Sequence, residues 1–197
     1  LDVGVGDGMA LLPALTPNIA RVDLVEPSAP MLSRTTAALA ERGVPFRAFH
    51  TGVLQFAERA RERWELAQAT FSLQSLTPGD RRAALAWLRA QADRLLIAEF
   101  DVPELGDGLD PRRLAHIAER YEQGLAEYDG DGGLVAQGFL MPVFFGYFDP
   151  TAARTNYEQP IAAWEEDLRA AGFARVDRRH LYDYWWAPAY LLDASAS

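Results

Sequence analysis

Three glycines near the start of the chain, Gly4, Gly6 and Gly8, alternate with other residues. An apolar run that contains Asp2 precedes them, and a run with helical spacing follows. Glycine lets the backbone turn sharply and lets a ligand approach the main chain without meeting a Cβ atom. A helix that starts after such a turn directs its free N–H groups and its positive dipole end at the same place. The spacing therefore predicts a cradle for a small molecule.

A second acidic residue, Glu26, ends the next β-rich run. In a doubly wound sheet, ligands bind at the carboxyl ends of the strands, so Glu26 is placed to accept hydrogen bonds from a ribose diol. The dinucleotide fingerprint G-x-G-x-x-G is not met, because Met9 stands where its third glycine should be. Asp7 would also repel a pyrophosphate at the start of the helix. These residues favour a positively charged nucleoside without phosphates, and disfavour a nicotinamide dinucleotide.

Short β-rich runs alternate with amphipathic helices along the first half of the chain, a pattern typical of a parallel, doubly wound α/β sheet with helices on both faces. The predicted strands are Leu1–Val5, Arg21–Val25, Val44–Phe49, Glu65–Leu73, Arg94–Phe100, Arg175–Trp185 and Ala189–Leu192. The predicted helices are Met9–Leu15, Ser28–Arg42, Phe56–Arg63, Pro78–Ala92, Pro111–Tyr128 and Ile161–Ala171, the last ending at Gly172.

The 197 residues are expected to form a single domain, residues 1–197. Within it, residues 104–160 are longer than a crossover requires and rich in aromatic residues, so we interpret them as an insertion that acts as a substrate lid. The aromatic run Phe139–Phe148 fits a pocket wall, a core or a dimer interface equally well. Because Leu1 lies inside a predicted strand, we expect a further N-terminal segment in the natural protein.

Composition excludes several classes of chemistry. The formal net charge of −9 argues against a nucleic-acid partner, which requires a basic face. Cysteine is absent and all 19 basic residues are arginine, so thiolate catalysis, cysteine-bound metals and lysine Schiff bases are excluded. No run has the length of a membrane span and no secretion signal opens the sequence. We therefore expect a cytoplasmic protein without a membrane partner; its oligomeric state stays open, with a homodimer as one option.

The motifs together resemble those of the class I S-adenosylmethionine-dependent methyltransferases. Asp2 with the three alternating glycines matches the family's first motif, and Glu26 matches the acidic residue that ends the second strand. Residues Trp64–Leu73 look like the fourth motif, and the C-terminal helix, strand and strand match the end of the family's seven-stranded sheet. The resemblance implies a Rossmann-like, mostly parallel seven-stranded sheet and S-adenosyl-L-methionine as the cofactor.

The resemblance also implies a role for each matching residue. Glu26 would accept both ribose hydroxyls, the glycine backbone would line the methionine part, and Asp2 with the Thr70 carbonyl would hold its ammonium group. Pro27 would pack on the adenine. The family's third motif usually places an aspartate after the third strand; this chain has His50 and Thr51 there, which we expect to address the adenine instead. The implied cofactor-binding residues are Asp2, Gly4, Gly6, Gly8, Glu26, Pro27, His50, Thr51 and Thr70.

For the acceptor side, a phenol or enol nucleophile gains from a positioned base. His116 is the first candidate, Tyr121 the second and Asp101, just after the fifth strand, the third. The residues after the fourth strand are not the acidic-Pro-Pro-aromatic signature of amide or adenine methylation, and no set of carboxylates at the strand ends suggests a metal. The aromatic segment on an acidic protein indicates a small aromatic or apolar acceptor.

We interpret the chain as an enzyme that transfers a methyl group from S-adenosylmethionine to O or C of such a metabolite, with N-methylation left open and a place in secondary metabolism expected. Two alternatives stay open. One is a protein of the same fold that binds S-adenosylmethionine without methylating. The other, disfavoured by Met9, is an NAD(P)-dependent oxidoreductase.

Overall fold

A computed structural model describes residues 1–106, 109–131, 133–149, 151 and 153–196. Seven strands form one sheet in the order β3-β2-β1-β4-β5-β7-β6. The strands are β1 Asp2–Val3, β2 Val22–Glu26, β3 Phe46–His50, β4 Trp64–Thr70, β5 Ala92–Phe100, β6 Arg175–Asp183 and β7 Pro188–Ser195. The first five run parallel, whereas β7 is antiparallel to both β5 and β6. The predicted mostly parallel seven-stranded sheet is confirmed.

Helices cover both faces of the sheet. They are α1 Leu11–Ala14, α2 Ala29–Glu41, α3 Val53–Arg59, α4 Pro78–Gln91, α5 Pro111–Glu127, α6 Met141–Gly146 and α7 Ile161–Ala170. The main hydrophobic core lies between the sheet and α3, α4 and α7, around the fully buried Trp164 and Leu85. A smaller core, which includes Leu24 and Leu39, joins α1 and α2 to the other face.

Several predicted boundaries were wrong, and the largest error lies in the glycine-rich turn. The predicted strand Leu1–Val5 is only Asp2–Val3, and the predicted helix Met9–Leu15 is the single turn Leu11–Ala14. Left-handed glycines and the proline inside α1 limit regular structure there. A single helical turn has little dipole, so α1 contributes less to the cradle than the predicted helix Met9–Leu15 would.

Two other predicted elements also have different bounds in the structure. The helix predicted at Phe56–Arg63 is Val53–Arg59, three residues earlier at its start. The strand predicted at Glu65–Leu73 ends at Thr70, and a turn of 3₁₀-helix, Leu73–Ser75, follows. Phe71 has a left-handed φ of 50°, which a continuing strand cannot contain.

Residues 104–160, the predicted insertion, include residues 107, 108, 132, 150 and 152, which lie outside the described part of the chain. The described part contains α5, a turn of 3₁₀-helix at Asp129–Asp131, a π-helical turn at Ala136–Leu140 and α6. Residues of α5, the π-helical turn and α6 form a third hydrophobic cluster with Trp185 and Trp186 from the β6–β7 connection. Among the helices described, none is long and apolar enough to cross a membrane.

Close packing fixes α5 against that connection. A Cβ atom on Gly124 would lie 3.0 Å from Leu140 and 3.1 Å from the Trp185 ring, so a larger residue there would force these side chains to shift. The described helices between residues 111 and 146 and the β6–β7 connection therefore pack together.

Candidate functional site

Strand register brings the predicted cofactor residues to one edge of the sheet. Asp2 pairs with Gln68 on β4, and Glu26 pairs with His50 on β3. Because β1 to β5 are parallel, their carboxyl ends and the loops that follow them lie on the same side. The candidate site therefore consists of the carboxyl ends of these strands and the loops that follow them.

The three alternating glycines all have left-handed backbone angles, but they serve different purposes. Gly4, at φ 71°, lies directly on Ser72, whose Oγ would be 2.8 Å from an added Cβ. Gly8, at φ 84°, packs on Thr35 of α2, 3.1 Å from an added Cβ. Gly6, at φ 59°, has no atom within 4 Å of that position among the described residues. Only Gly6 therefore leaves its Cα side open to a ligand.

Glu26 holds the glycine turn in place. Its Oε2 accepts the backbone N–H of Gly6 at 2.9 Å and its Oε1 accepts that of Ser28 at 2.7 Å, while the residue is only 6% exposed. Thr35 fixes the same peptide from the other side, since its hydroxyl donates to the Gly6 carbonyl at 2.8 Å. A carboxylate offers about four acceptor positions, so Glu26 keeps acceptor capacity for a ligand's hydroxyl groups.

Asp2 is buried below the turn and accepts a hydrogen bond of 2.6 Å from the Gln68 amide. Burial raises the pKa of Asp2 to about 6, and the bond from Gln68 opposes that rise. Above this pH the carboxylate is ionised, so Asp2 supplies a negative charge in a poorly solvated place.

Sequence reasoning missed three polar side chains that build this site: Gln68, Ser72 and Thr35. Ser72 Oγ donates to the Val3 carbonyl at 2.7 Å while its side chain supports Gly4. The available signal was a polar residue, Gln68, between the apolar Ala67 and Ala69 of a parallel strand. Thr35 on α2 carried no signal, because only the tertiary structure brings it to Gly6.

The residues predicted to contact an adenine lie at the ends of β2 and β3. His50 Nε2 is 3.0 Å from the Pro27 carbonyl, and both residues are exposed. Thr51 follows His50 and is half-buried. Thr70 ends β4, where it pairs with Ala98, and so stands on the far side of β1 from Glu26.

A groove of about 630 Å³ runs from His50 and Thr51 along the outer edge of the sheet, between β3 and α3. Phe49, Phe56 and Trp64 line it, with ring centroids 4.7 and 6.1 Å apart from one ring to the next. Of the described residues that line this groove, only His50 and Thr51 are among the predicted cofactor-binding residues.

The three predicted catalytic residues lie at separate places around the insertion. His116 on α5 makes an edge contact with the Trp186 ring, with centroids 6.2 Å apart, and its buried Nε2 has no partner in the described structure. Burial, with a smaller contribution from Arg120, lowers the pKa of His116. Tyr121 packs on Phe144 in the third cluster. Asp101 accepts the Ile161 N–H at 2.8 Å, at the start of α7.

Glu99, which sequence reasoning did not single out, fixes the turn after β4. It is 1% exposed, and its Oε1 accepts the N–H groups of Leu73 at 3.1 Å and Gln74 at 3.3 Å. Burial raises the pKa of Glu99 to about 8, against the effect of these bonds. Because Ser72 directly precedes these N–H groups, Glu99 sets the position of the side chain that supports Gly4.

Solved structures resemble this chain across almost its whole length. The apo form of the S-adenosylmethionine-dependent methyltransferase SibL matches 98% of the chain and 49% of its own length, with 19% identity and a TM-score of 0.61. Magnesium protoporphyrin IX methyltransferase (ChlM) of Synechocystis PCC 6803 with bound SAM matches 100% of the chain and 68% of its own, with 14% identity and a TM-score of 0.57.

A protein described as a pericyclic reaction enzyme also matches, over 98% of the chain and 42% of its own length, with 17% identity and a TM-score of 0.53. The chain therefore has the fold of the class I S-adenosylmethionine-dependent methyltransferases, and spans about half the length of SibL. Neither a protein-family model nor a curated protein matches the sequence.

Proposed function

We propose that this protein binds S-adenosyl-L-methionine in the cradle and methylates O or C of a small aromatic or apolar molecule. The observation that carries the proposal is the buried Glu26 carboxylate beside the open left-handed turn at Gly6. It offers acceptors for two ribose hydroxyls next to backbone that a ligand can approach closely.

The residues present fit this cofactor. Glu26 would hold the ribose, the Gly4–Gly8 backbone and Thr70 would border the methionine part, and Asp2 would face its ammonium group. Pro27, His50 and Thr51 are exposed or half-buried where an adenine would extend. When bound, S-adenosylmethionine supplies an electrophilic methyl group on a positively charged sulfur.

The acidic character of the cradle favours that charge. Asp2 and Glu26 are both buried, and no arginine is hydrogen-bonded to either carboxylate in the described structure. A dinucleotide would bring two phosphate charges to the same place, where a neighbouring carboxylate disfavours them. The chain's own charges therefore discriminate between the two classes of nucleoside ligand.

On the acceptor side, we propose His116 as the general base. Its lowered pKa favours the neutral imidazole near pH 7, and its Nε2, which is buried without a partner in the described structure, would accept the proton when the acceptor is bound. Tyr121 and Asp101 remain candidates, but Asp101 already binds the start of α7. Residues 104–160 would act as the lid that carries the base, and positioning of acceptor and donor would supply much of the remaining rate.

Calorimetric titration tests the cofactor. S-adenosylmethionine and S-adenosylhomocysteine should bind and NADH should not. Glu26→Ala should weaken binding by about 1–3 kcal/mol, the cost of losing charge-assisted hydrogen bonds. Glu41→Ala, an exposed glutamate at the end of α2, is the matched control and should leave affinity unchanged. Binding of NADH alone would refute the proposal.

Methyl transfer itself is tested separately, because a pericyclic reaction enzyme has a similar fold. Transfer of a radiolabelled methyl group to a panel of phenols and enols should be detected, and His116→Ala should slow it by about 10²–10⁴-fold with cofactor affinity kept. Cofactor binding without transfer to any member would favour a non-methylating protein of this fold.

A further inference from the structure

Three aromatic rings form a row at the carboxyl ends of β4 and β5. Phe71 stacks on Phe100 with centroids 4.4 Å apart and planes 16° apart. Phe100 in turn stacks on Tyr184, with centroids 5.5 Å apart and planes 20° apart. All three side chains are half-buried. We define Phe71, Phe100 and Tyr184 as the ring row.

The ring row lies between the cradle and the insertion. Phe71 is bonded directly to Ser72, the residue that supports Gly4. At the other end, Tyr184 lies near Tyr128 at the end of α5, and the interaction with Tyr184 raises the pKa of Tyr128 to about 12. One end of the row therefore borders the glycine turn, and the other end is fixed to the segment that we propose as the lid.

Phe71 is held in a conformation that its side chain disfavours. It is the one non-glycine residue of the described chain with a positive φ, 50°, and its N–H donates to the Ala98 carbonyl at 2.9 Å. A bulky residue in the left-handed region is strained, and such strain persists where the surrounding structure imposes it, most often at functional sites. The strain presents the Phe71 ring parallel to Phe100 instead of letting it follow the strand.

The third cluster has little internal space for an acceptor. The gap among Ile117, Tyr121, Phe144 and Trp186 is about 10 Å³, which is at the lower limit for a single water molecule. An acceptor cannot enter it without repacking the insertion. The ring row, in contrast, ends in Phe71, which contacts no aromatic ring other than Phe100 among the described residues.

We propose that the ring row is a stacking platform that selects a flat aromatic acceptor, with Phe71 as the ring that meets it. The inference rests on the proposed function, whose acceptor it narrows to planar aromatic molecules. Parallel stacking on a row of rings favours a planar partner over a puckered one of equal size, because only the planar one contacts the whole ring face.

The test compares two probes of the same carbon skeleton, β-naphthol and its fully saturated counterpart decahydro-β-naphthol, by calorimetry on the full chain. The planar probe should bind roughly three- to tenfold more tightly, the range expected for one aromatic pair. Phe71→Asn should reduce this preference to less than about twofold, since it removes the ring while keeping a residue that tolerates the left-handed region. Equal binding of both probes to the unchanged protein would overturn the proposal.

Stability separates a platform from a packing role. Phe71→Asn relieves backbone strain but also loses the stacking on Phe100, and the two effects oppose each other, so the variant should stay folded while the preference disappears. Phe46→Leu, at a half-buried phenylalanine on β3, is the matched control and should keep the preference. If Phe71→Asn keeps the preference, or unfolds the chain while Phe71→Gly keeps the preference, the proposal is wrong. Cofactor titration of the same samples reports on the proposed function independently, because both probes are measured without cofactor.

Discussion

The cradle and the acceptor side are built from different kinds of interaction. The cradle uses backbone: left-handed glycines, a buried carboxylate that accepts two N–H groups, and a hydroxyl on a carbonyl. The acceptor side uses ring packing among residues from β5, α5, α6 and the β6–β7 connection. Most of the cradle comes from residues 2–35, whereas the other region draws on residues as distant in sequence as Phe100 and Ala187. The difference indicates that cofactor binding and acceptor choice can be changed separately.

The strongest way to break the cradle alone is Gly4→Ala. A left-handed alanine costs about 1–2 kcal/mol and overpacking about 1–3 kcal/mol, so unfolding free energy should fall by about 2–5 kcal/mol. Urea denaturation measures it. The double variant Gly4→Ala, Ser72→Gly should regain the unfolding free energy that Gly4→Ala loses to overpacking, because the obstructing Ser72 side chain is removed. No recovery would mean that the contact with Ser72 is not what limits position 4.

The same substitution at Gly6 should separate stability from binding. No atom lies within 4 Å of an added Cβ in the described structure. Gly6→Ala should therefore lower the unfolding free energy only by the cost of an alanine in the left-handed region, about 1–2 kcal/mol. Calorimetry should nevertheless show at least tenfold weaker binding of S-adenosylmethionine, since the methyl group occupies the side open to the ligand. Unchanged affinity would contradict the role of Gly6 as the ligand-facing glycine.

Glu99 links the two regions, and its effect depends on pH. Its pKa is raised to about 8 in the folded chain from a usual value of 4.5. Between these values the folded state holds a proton that the unfolded state has released. Stability from this group is therefore present at low pH and lost as the pH rises, by roughly 1 kcal/mol per unit between pH 5 and 8.

Glu99→Gln isolates that effect, because the amide stays neutral and its oxygen still accepts the Leu73 and Gln74 N–H groups. Unfolding free energies of the two proteins should converge near pH 5 and diverge toward pH 8, with the variant more stable. Other titrating groups, including Asp2, are shared and cancel in the difference. Parallel pH profiles would contradict the raised pKa.

Gly124→Ala tests the acceptor side without touching the cradle. Alanine favours a helix by about 1 kcal/mol over glycine, but the contacts at 3.0 and 3.1 Å add an overpacking cost of about 1–3 kcal/mol. We expect a net loss of about 1 kcal/mol with unchanged affinity for S-adenosylmethionine. Gly79→Ala in α4, whose nearest neighbour would be 4.0 Å away, is the control and should stabilise. Equal effects at both positions would contradict the packing of α5 on Trp185.

The smallest effect is expected at Asp7, whose carboxylate accepts only an exposed N–H from Met9 at 3.3 Å. Asp7→Ala should change stability by less than about 0.5 kcal/mol, as surface substitutions usually do. Cofactor affinity should change less than threefold, whereas Asp2→Asn should lower it by about tenfold or more, the usual cost of losing a charge-assisted interaction. A larger effect at Asp7 than at Asp2 would reverse the assignment of the two carboxylates.

Local sequence patterns predicted the strands and most helices, because alternation and helical spacing report directly on burial within one element. They failed where backbone geometry depended on a distant contact. Nothing near Phe71 in the sequence shows that β4 ends one residue earlier, since Glu99 and Ala98 on the next strand impose the turn. Likewise, the one-turn length of α1 follows from the glycine turn that Glu26 and Thr35 hold.

By itself, the sequence determined the glycine turn, the acidic residue that ends β2 and the parallel sheet that brings them together. These depend on intrinsic properties: glycine's freedom in the left-handed region and the regular spacing of apolar residues. Only the tertiary structure decided which glycine has open space beside its Cα, which polar side chains support the turn, and how Phe71, Phe100 and Tyr184 align. Those features arise from contacts between residues far apart in the chain, and their energies depend on distances that no local pattern contains.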